Sequence, residues 1–412
     1  MLTLLLIGML TLAFKIQPVK AERTINIRAD GSVDPPTAPI STMDNVTYTF
    51  IDNIYDSIVV QKDNIVVDGA GYVLQGAGEG NGISLWARSN VTIKNIEIKA
   101  FDNGIWLCGS PNNSISGNNI TDNGDAIRLH DYSNDNSISR NNIENNLAGI
   151  WLLRSFCNSL HGNNIRASEE YSIALLYCPN NTIFGNNVTN NNYGIFLYDS
   201  SNNSIYHNSL VNNTNQAYVY TSKSLSAWDH GYPSGGNFWS NYPGVDADDD
   251  GIGDTPYIIN ADNTDRFPLM APFKTFDVGT WSGVTYKVDV VSNSTVSDFY
   301  FNPDEGAFLR FNVTGLSGTI GFSRVAIPKQ LLWTENPWVV LVDHEPIIPT
   351  VTEDDNHVYL YFTYSHSTKT VTIVGTDAIP EFPSAIILSL FMAFTMIAVA
   401  FLKRRHLRKL KS

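Results

Sequence analysis

The chain has 412 residues, 43% hydrophobic and 16% charged, with 29 Gly and 3 Cys, which excludes a collagen-like, a wholly disordered or a disulfide-scaffold chain. Its 40 acidic residues outnumber 26 basic ones, for a net charge of −14. The imbalance widens away from the ends, where Lys15, Lys20 and the basic cluster after residue 402 have no acid beside them. A body this acidic repels phosphate backbones, so nucleic acid is not an expected partner. The first element in chain order is an apolar run over residues 1–14, followed by a polar stretch ending Val19-Lys20-Ala21. It is too short to span a bilayer and reads as a secretory signal, residues 1–21.

The chain then repeats itself. Aliphatic residues recur at Ile83, Ile105, Ile127, Ile150, Ile173 and Ile195, at Ile93, Ile115, Ile138, Leu160, Ile183 and Ile205, and at Ile98, Ile120, Ile143, Ile165, Val188 and Leu210, always 22 or 23 residues apart. The apolar pulses are too short for helices and are divided by Asn, Gly, Ser and Asp, so each is a strand ending in a turn. Strands at a fixed period of this size form a solenoid whose coils bury their aliphatics against one another. The expected architecture over residues 22–222 is a right-handed parallel β-helix of about seven to eight coils, ~35 Å tall at the usual strand spacing. Between Asn112 and Asn215 lie 27 Asn, many at corners such as Asn118-Asn119, Asn141-Asn142, Asn163-Asn164 and Asn186-Asn187. Stacked amides there form ladders, and Asn tolerates the left-handed backbone of a sharp corner. Ladder positions such as Asn119 and Asn187 are expected to face inward. The sequons at Asn45, Asn293 and Asn312, outside the repeat, are then the glycosylation candidates.

Within each Ile-x-Leu strand the middle side chain points outward. That rule places Trp106, Arg128, Trp151, Ala174 and Phe196 in one vertical row, with Asp102, Asp122, Asp125, Glu144, Glu169 and Glu170 in the turns before it. Aromatic faces stack on sugar rings, and neighbouring acids hydrogen-bond hydroxyls or divide acid and base roles. Trp106, Arg128, Trp151, Phe196, Asp125, Glu169 and Glu170 are therefore glycan-binding candidates, unless the row packs under a loop or the C-terminal domain. No acid and base recur at one fixed phase, so no catalytic residue is assigned.

The units Asn-Asn-Ser-Ile-Ser-Gly-Asn-Asn-Ile at 112–120 and Gly-Ile-Trp-Leu at 149–152, with the end motifs at 64–71 and 236–242, resemble NosD-type β-helix repeats of the carbohydrate-binding and sugar-hydrolase superfamily over roughly residues 25–272. The resemblance implies the β-helix and leaves three functions open. One is a surface protein that binds glycans or builds the envelope without catalysis. The others are a polysaccharide hydrolase, lyase or epimerase, and a copper accessory protein. The residue types argue against copper: His130, His161 and His207 occupy different phases, no Met lies between Met43 and Met270, and Cys108 has no Cys at its own phase. Cys157 and Cys178 lie about one coil apart, which makes a disulfide conceivable.

Residues 223–273 form an acidic cap containing Asp246-Ala247-Asp248-Asp249-Asp250-Gly251-Ile252-Gly253-Asp254. Oxygen donors at loop positions 1, 3, 5 and 9, Gly at 6 and a carbonyl at 7 follow the pattern of a loop that wraps Ca²⁺. Asp246, Asp248, Asp250, Ile252 and Asp254 are the candidate ligands, although Tyr257 stands where an EF-hand has its bidentate Glu. The ion's expected role is structural, pinning the cap over the open end of the solenoid. In residues 274–375 the period gives way to alternating strands at 285–291, 308–313, 338–342, 357–364 and 370–374, as expected for a β-sandwich-like domain.

Residues 376–384 form a Pro-containing linker, and residues 385–402 are uncharged and long enough for a transmembrane helix. The basic tail, 403–412, orients that helix with the tail in the cytoplasm and the body outside. Ile379-Pro380-Glu381-Phe382-Pro383-Ser384, with the helix and tail behind it, resembles the PEF sorting signals of archaeal surface proteins. The resemblance implies surface attachment and processing by an archaeosortase. The expected location is the cell membrane with an extracellular body, and the expected partners are the membrane and a glycan or envelope component.

Overall fold

The computed structural model describes residues 24–221, 224–281 and 283–379. The signal, most of the linker, the apolar helix and the basic tail lie outside these residues. Among the described residues no helix is long and apolar enough to cross a membrane. The chain forms two compact units: one runs to Trp228 and includes Ile258–Thr264, and the other comprises Asp229–Tyr257 and the residues from Asp265 onward.

The first unit is the solenoid, built of three parallel sheets. One contains 10 strands and runs from the antiparallel pair Ile25–Ile27 and Val33–Asp34 through Asn103–Cys108, Asp125–His130, Ala148–Leu153 and Tyr171–Leu176 to Asn215–Val219. The sequence period is the sheet register itself. Ile83, Ile105, Ile127, Ile150, Ile173 and Ile195 are successive partners. So are the series from Ile93 to Ile205 and from Ile98 to Leu210. Every one of these side chains is fully buried, because an aliphatic at the same phase of each coil meets its counterparts above and below.

The corners are where Asn acts. Asn90, Asn112, Asn180 and Asn202 hold the left-handed region at φ 55°, 58°, 61° and 57°, which other side chains enter at a cost. Asn118, Asn141, Asn163, Asn186 and Asn208 form a buried ladder. From Asn141 onward each side-chain oxygen accepts both the backbone N–H and the amide N–H of the Asn one coil earlier, as Asn141 does from Asn118 at 3.0 Å for each bond. The second residue of each pair behaves otherwise. Asn119 and Asn187 are exposed and belong to an outer amide ladder, in which Asn142 donates to Asn119 at 2.7 Å and Asn187 to Asn164 at 2.8 Å. The inward placement expected for these two is thus corrected: the first Asn of each doublet turns in, and strand alternation sends the next one out. Gly149 sits where coils approach closely, since an added Cβ would lie 2.4 Å from the Ser172 carbonyl oxygen.

The second unit contains two five-stranded antiparallel sheets. One orders Phe273–Trp281, Val284–Ser292, Ile320–Pro328, His357–Ser365 and Thr350–Glu353; the other orders Thr295–Phe301, Phe308–Thr314, Lys369–Val374, Val339–Val342 and Glu345–Ile347. Val288, Val290, Phe311, Val325, Leu360 and Ile373 from both sheets share one buried cluster, which is the packing of a β-sandwich. Cys108, Cys157 and Cys178 are all free thiols. Cys157 is exposed while Cys178 is buried, with its Sγ accepting the Ser155 N–H at 3.2 Å. Burial pushes the Cys178 thiol up to about 11.

Candidate functional site on the outer wall of the solenoid

The ten-stranded sheet turns several vertical rows of side chains outward. One is the expected row: Trp106, Arg128, Trp151, Ala174 and Phe196 are ladder partners in that order, and Tyr218 continues it. Trp106, Arg128, Trp151 and Phe196 are half-buried, Ala174 is buried and Tyr218 is 42% exposed. A parallel row three residues earlier holds Asn103, Asp125, Ala148, Tyr171 and Tyr193.

The two rows interlock into an aromatic surface. Tyr171 meets Phe196 with ring centroids 4.8 Å apart, Tyr193 at 5.3 Å and Trp151 edge-on at 5.7 Å, and Phe196 stacks on Tyr218 at 6.0 Å. Tyr171, Tyr193 and Tyr218 were missed from sequence, although Tyr171 and Tyr193 share one phase of the period. The assumption of simple alternation hid them. In strands such as Asn103–Cys108 and Tyr193–Tyr198 the first and the fourth residues are partly exposed, with two buried residues between them. The Trp151 Nε1–H is shielded from solvent and has no hydrogen-bond partner among the described residues.

The charged members border this surface. Asp125 is only 8% exposed and pairs with Arg128 at 3.0 Å, whose guanidinium lies 5.9 Å from the Trp151 ring centroid. Burial pushes the Asp125 carboxyl up, Arg128 draws it back down, and the charge of Glu170 raises it further. Glu169 and Glu170 are exposed. Glu144 stands apart, on the strand Asn142–Glu144 of another sheet, and is tied to Arg166 at 2.5 Å.

A second mixed cluster lies on the same sheet. Cys108 and His130 are direct ladder partners, and with Asp131 they bring one donor atom each within 4.8 Å of one another. Cys108 and His130 share one phase of the period, and their 22-residue spacing places thiol beside imidazole. His161 stacks instead on Phe184 at 5.0 Å.

In the second unit, Asp246, Asp248 and Asp250 converge so that one oxygen of each lies within 4.8 Å of the others. The Asp246 oxygens accept the Asp250 and Gly251 N–H groups at 3.0 and 2.8 Å. Asp254 turns to the Ala247 N–H at 2.8 Å. Ile252 is buried with Leu269, Ala271 and Val291 against Phe322, so the loop is anchored to the sandwich strands of its own unit. Burial pushes the carboxyls of Asp246 and Asp250 up, and like charge within the loop adds to the shift. Among the glycosylation candidates Asn45 is exposed. Asn293 donates to the Ile320 carbonyl at 3.1 Å and Asn312 to Asp298 at 2.9 Å.

Residues 43–244, just under half of the chain, match the family model described as periplasmic copper-binding protein (NosD), so the repeats of the solenoid are similar to those of that family. Cys108 and His130 place a thiol and an imidazole side by side on the wall. Among solved structures, the chain is similar to a double mutant of the periplasmic alginate epimerase AlgG at 16% identity, over 48% of this chain and 56% of that one, with a TM-score of 0.33. It thus spans about half the length of that epimerase. It is also similar to the Dettilon tailspike protein at 12% identity, over 86% and 85% of the two chains with a TM-score of 0.27. A third similarity is to the enzymatically active domain of tailspike protein 2 of bacteriophage CBA120, at 10% identity, over 88% and 82%, with a TM-score of 0.32. No curated protein matches the chain.

Proposed function

We propose that this protein is an exported, membrane-anchored surface protein whose β-helix binds glycan chains on the outer wall of its ten-stranded sheet, without catalysis. The observation that carries the reading is the half-exposed aromatic surface of Trp151, Tyr171, Tyr193, Phe196 and Tyr218, bordered by the Asp125–Arg128 pair. Aromatic faces take the apolar faces of sugar rings, while the exposed carboxylates of Glu169 and Glu170 accept hydrogen bonds from hydroxyls. Arg128 neutralises the one buried carboxyl of the surface, which leaves no free acid paired with a base. The anchoring half of the reading rests on the apolar and basic segments at the two ends of the sequence.

Affinity electrophoresis of the purified full chain in gels containing soluble polysaccharides tests it. Replacing Trp151 and Phe196 together by Ala is expected to weaken retention by about tenfold or more, since each lost stacking contact is worth about 1 kcal/mol. Unchanged retention in a folded double variant would refute glycan binding on this wall. A new reducing end or unsaturated product during the incubation would favour a hydrolase or lyase instead. The converging carboxylates of Asp246, Asp248 and Asp250 support one structural Ca²⁺ in the acidic loop, completed by the Ile252 carbonyl and Asp254.

A further inference from the structure

The last residues of the strands in the ten-stranded sheet form a third outward row, in which Trp86, Cys108, His130 and Leu153 are successive partners. His130 Nδ1 lies 2.9 Å from Asp131 Oδ2. The corner after His130 is longer than its neighbours. Two residues, Asp131 and Tyr132, separate His130 from the buried Ser133, whereas only Gly109 separates Cys108 from Ser110 and only Arg154 separates Leu153 from Ser155. Both inserted-corner residues are left-handed, at φ 40° and 63°, and the corner holds the Asp131 carboxylate against the row.

None of the three donors belongs to the core, for all are half-buried. Packing therefore gives no reason for a thiol, an imidazole and a carboxylate to meet. Asp131 Oδ1 is shielded from solvent and has no hydrogen-bond partner among the described residues; the Arg154 guanidinium faces it only across 3.6 Å. The ladder neighbours Trp86 and Leu153 are apolar and add no competing donor.

We propose that Cys108, His130 and Asp131 bind one thiophilic d¹⁰ cation, Zn²⁺ or Cu⁺, through thiolate, imidazole and carboxylate, with a fourth position open to solvent. Three protein ligands and an open site are a common arrangement for such ions. Binding exchanges the Cys108 thiol proton for the metal and releases that proton to water. Arg154 offsets part of the negative charge that the thiolate and Asp131 bring together.

The purified full chain, titrated with Co²⁺ as a spectroscopic stand-in for Zn²⁺, reports thiolate ligation by a sulfur-to-metal charge-transfer band. The band is expected in the parent and in Cys157→Ser, whose thiol is the exposed alternative, and is expected to vanish in Cys108→Ser. His130→Gln and Asp131→Asn are expected to weaken binding by about tenfold or more. All four positions are on the surface, so circular dichroism should be unchanged, and a Cys108→Ala variant gives a second reading should Cys108→Ser unfold. Competition against a Zn²⁺ dye and against a Cu⁺ chelator separates the two ions, and site-dependent binding of either supports the proposal. Absence of binding by both, or loss of the band in Cys157→Ser rather than in Cys108→Ser, overturns it.

Discussion

Asp265 is fully buried. Its oxygens accept N–H groups from the Asn237 backbone at 2.7 Å, the Trp239 indole at 2.8 Å and the Phe267 backbone at 3.1 Å. Burial pushes its carboxyl up to about 7, against the pull of these donors. Because the folded value lies above the unfolded one, the group's contribution to stability is complete below pH 3.8 and is lost as pH rises toward about 7. Asp229 acts in the opposite sense. Despite the cost of burial, the bonds from Arg266 hold its carboxyl below the usual range, so its contribution is lost only in acid. An Asp265→Asn variant turns an NH₂ group toward at least one N–H donor and is expected to lose about 1 to 3 kcal/mol in urea unfolding at pH 7. The loss should be accompanied by a flatter stability profile between pH 4 and 7. An unchanged midpoint would mean that the site rearranges.

The coil is an element whose strength lies in its corners as much as in its strands. Asn141 is buried and bonded on every side: its side-chain oxygen accepts two bonds from Asn118, its amide donates to the Ile115 carbonyl at 3.0 Å and to Asn163 at 3.0 Å, its own N–H reaches Asn163 at 3.1 Å, and its carbonyl accepts the Asn164 N–H at 2.9 Å. Asn141→Ala strands the backbone N–H of Asn118 and the carbonyl of Ile115, at about 1 to 3 kcal/mol each. Asn142→Ala removes only the outer amide contacts at 2.7 Å to Asn119 and Asn164 and should cost less than about 1 kcal/mol. Denaturation of the two variants side by side checks this, and equal losses would sink the distinction between the ladders. By the same reasoning Ile127→Ala, at the fully buried centre of its ladder, is expected to cost about 2 to 5 kcal/mol.

At the scale of the whole molecule, a Ca²⁺ held by the acidic loop would link ion binding to the stability of the second unit. Ile252 lies in the cluster that includes Val291 and Phe322 of the sandwich strands. A Ca²⁺ bound only to the folded form raises stability by mass action, so EDTA is expected to lower the melting temperature of the second unit. The pH dependence has a definite sign. The carboxyls of Asp246 and Asp250 are pushed up by burial and by their neighbours' charge, so protons compete with the ion in mild acid and the EDTA effect should grow as pH rises toward neutrality. Replacing Asp248 and Asp250 together by Asn should abolish it. Identical melting of the parent with calcium and with EDTA at pH 7 would leave the loop as an acidic turn. Export is tested on whole cells: added protease should degrade the body and spare the basic tail, and the reverse pattern would invert the orientation.

The solenoid was legible in the sequence because its stabilising unit is a phase. Aliphatics one period apart must be neighbours if the chain coils at all, and the registers through Ile105, Ile115 and Ile120 follow from that. Several strands of the second unit were legible for a related reason, since alternation marks a half-buried strand wherever it lies, but their order in two sheets depends on pairings between residues as distant as Arg324 and Tyr361. The wall's chemistry was legible only in part. The row from Trp106 to Phe196 follows from alternation, whereas Tyr171 and Tyr193 stand three residues earlier, beyond two buried residues, where simple alternation does not reach. Which Asn of a doublet turns inward, and whether an inserted corner residue brings Asp131 to His130, depended on local backbone geometry that no residue pattern encodes. Tertiary structure decided those points, because a corner's direction is set by the coil against which it stacks.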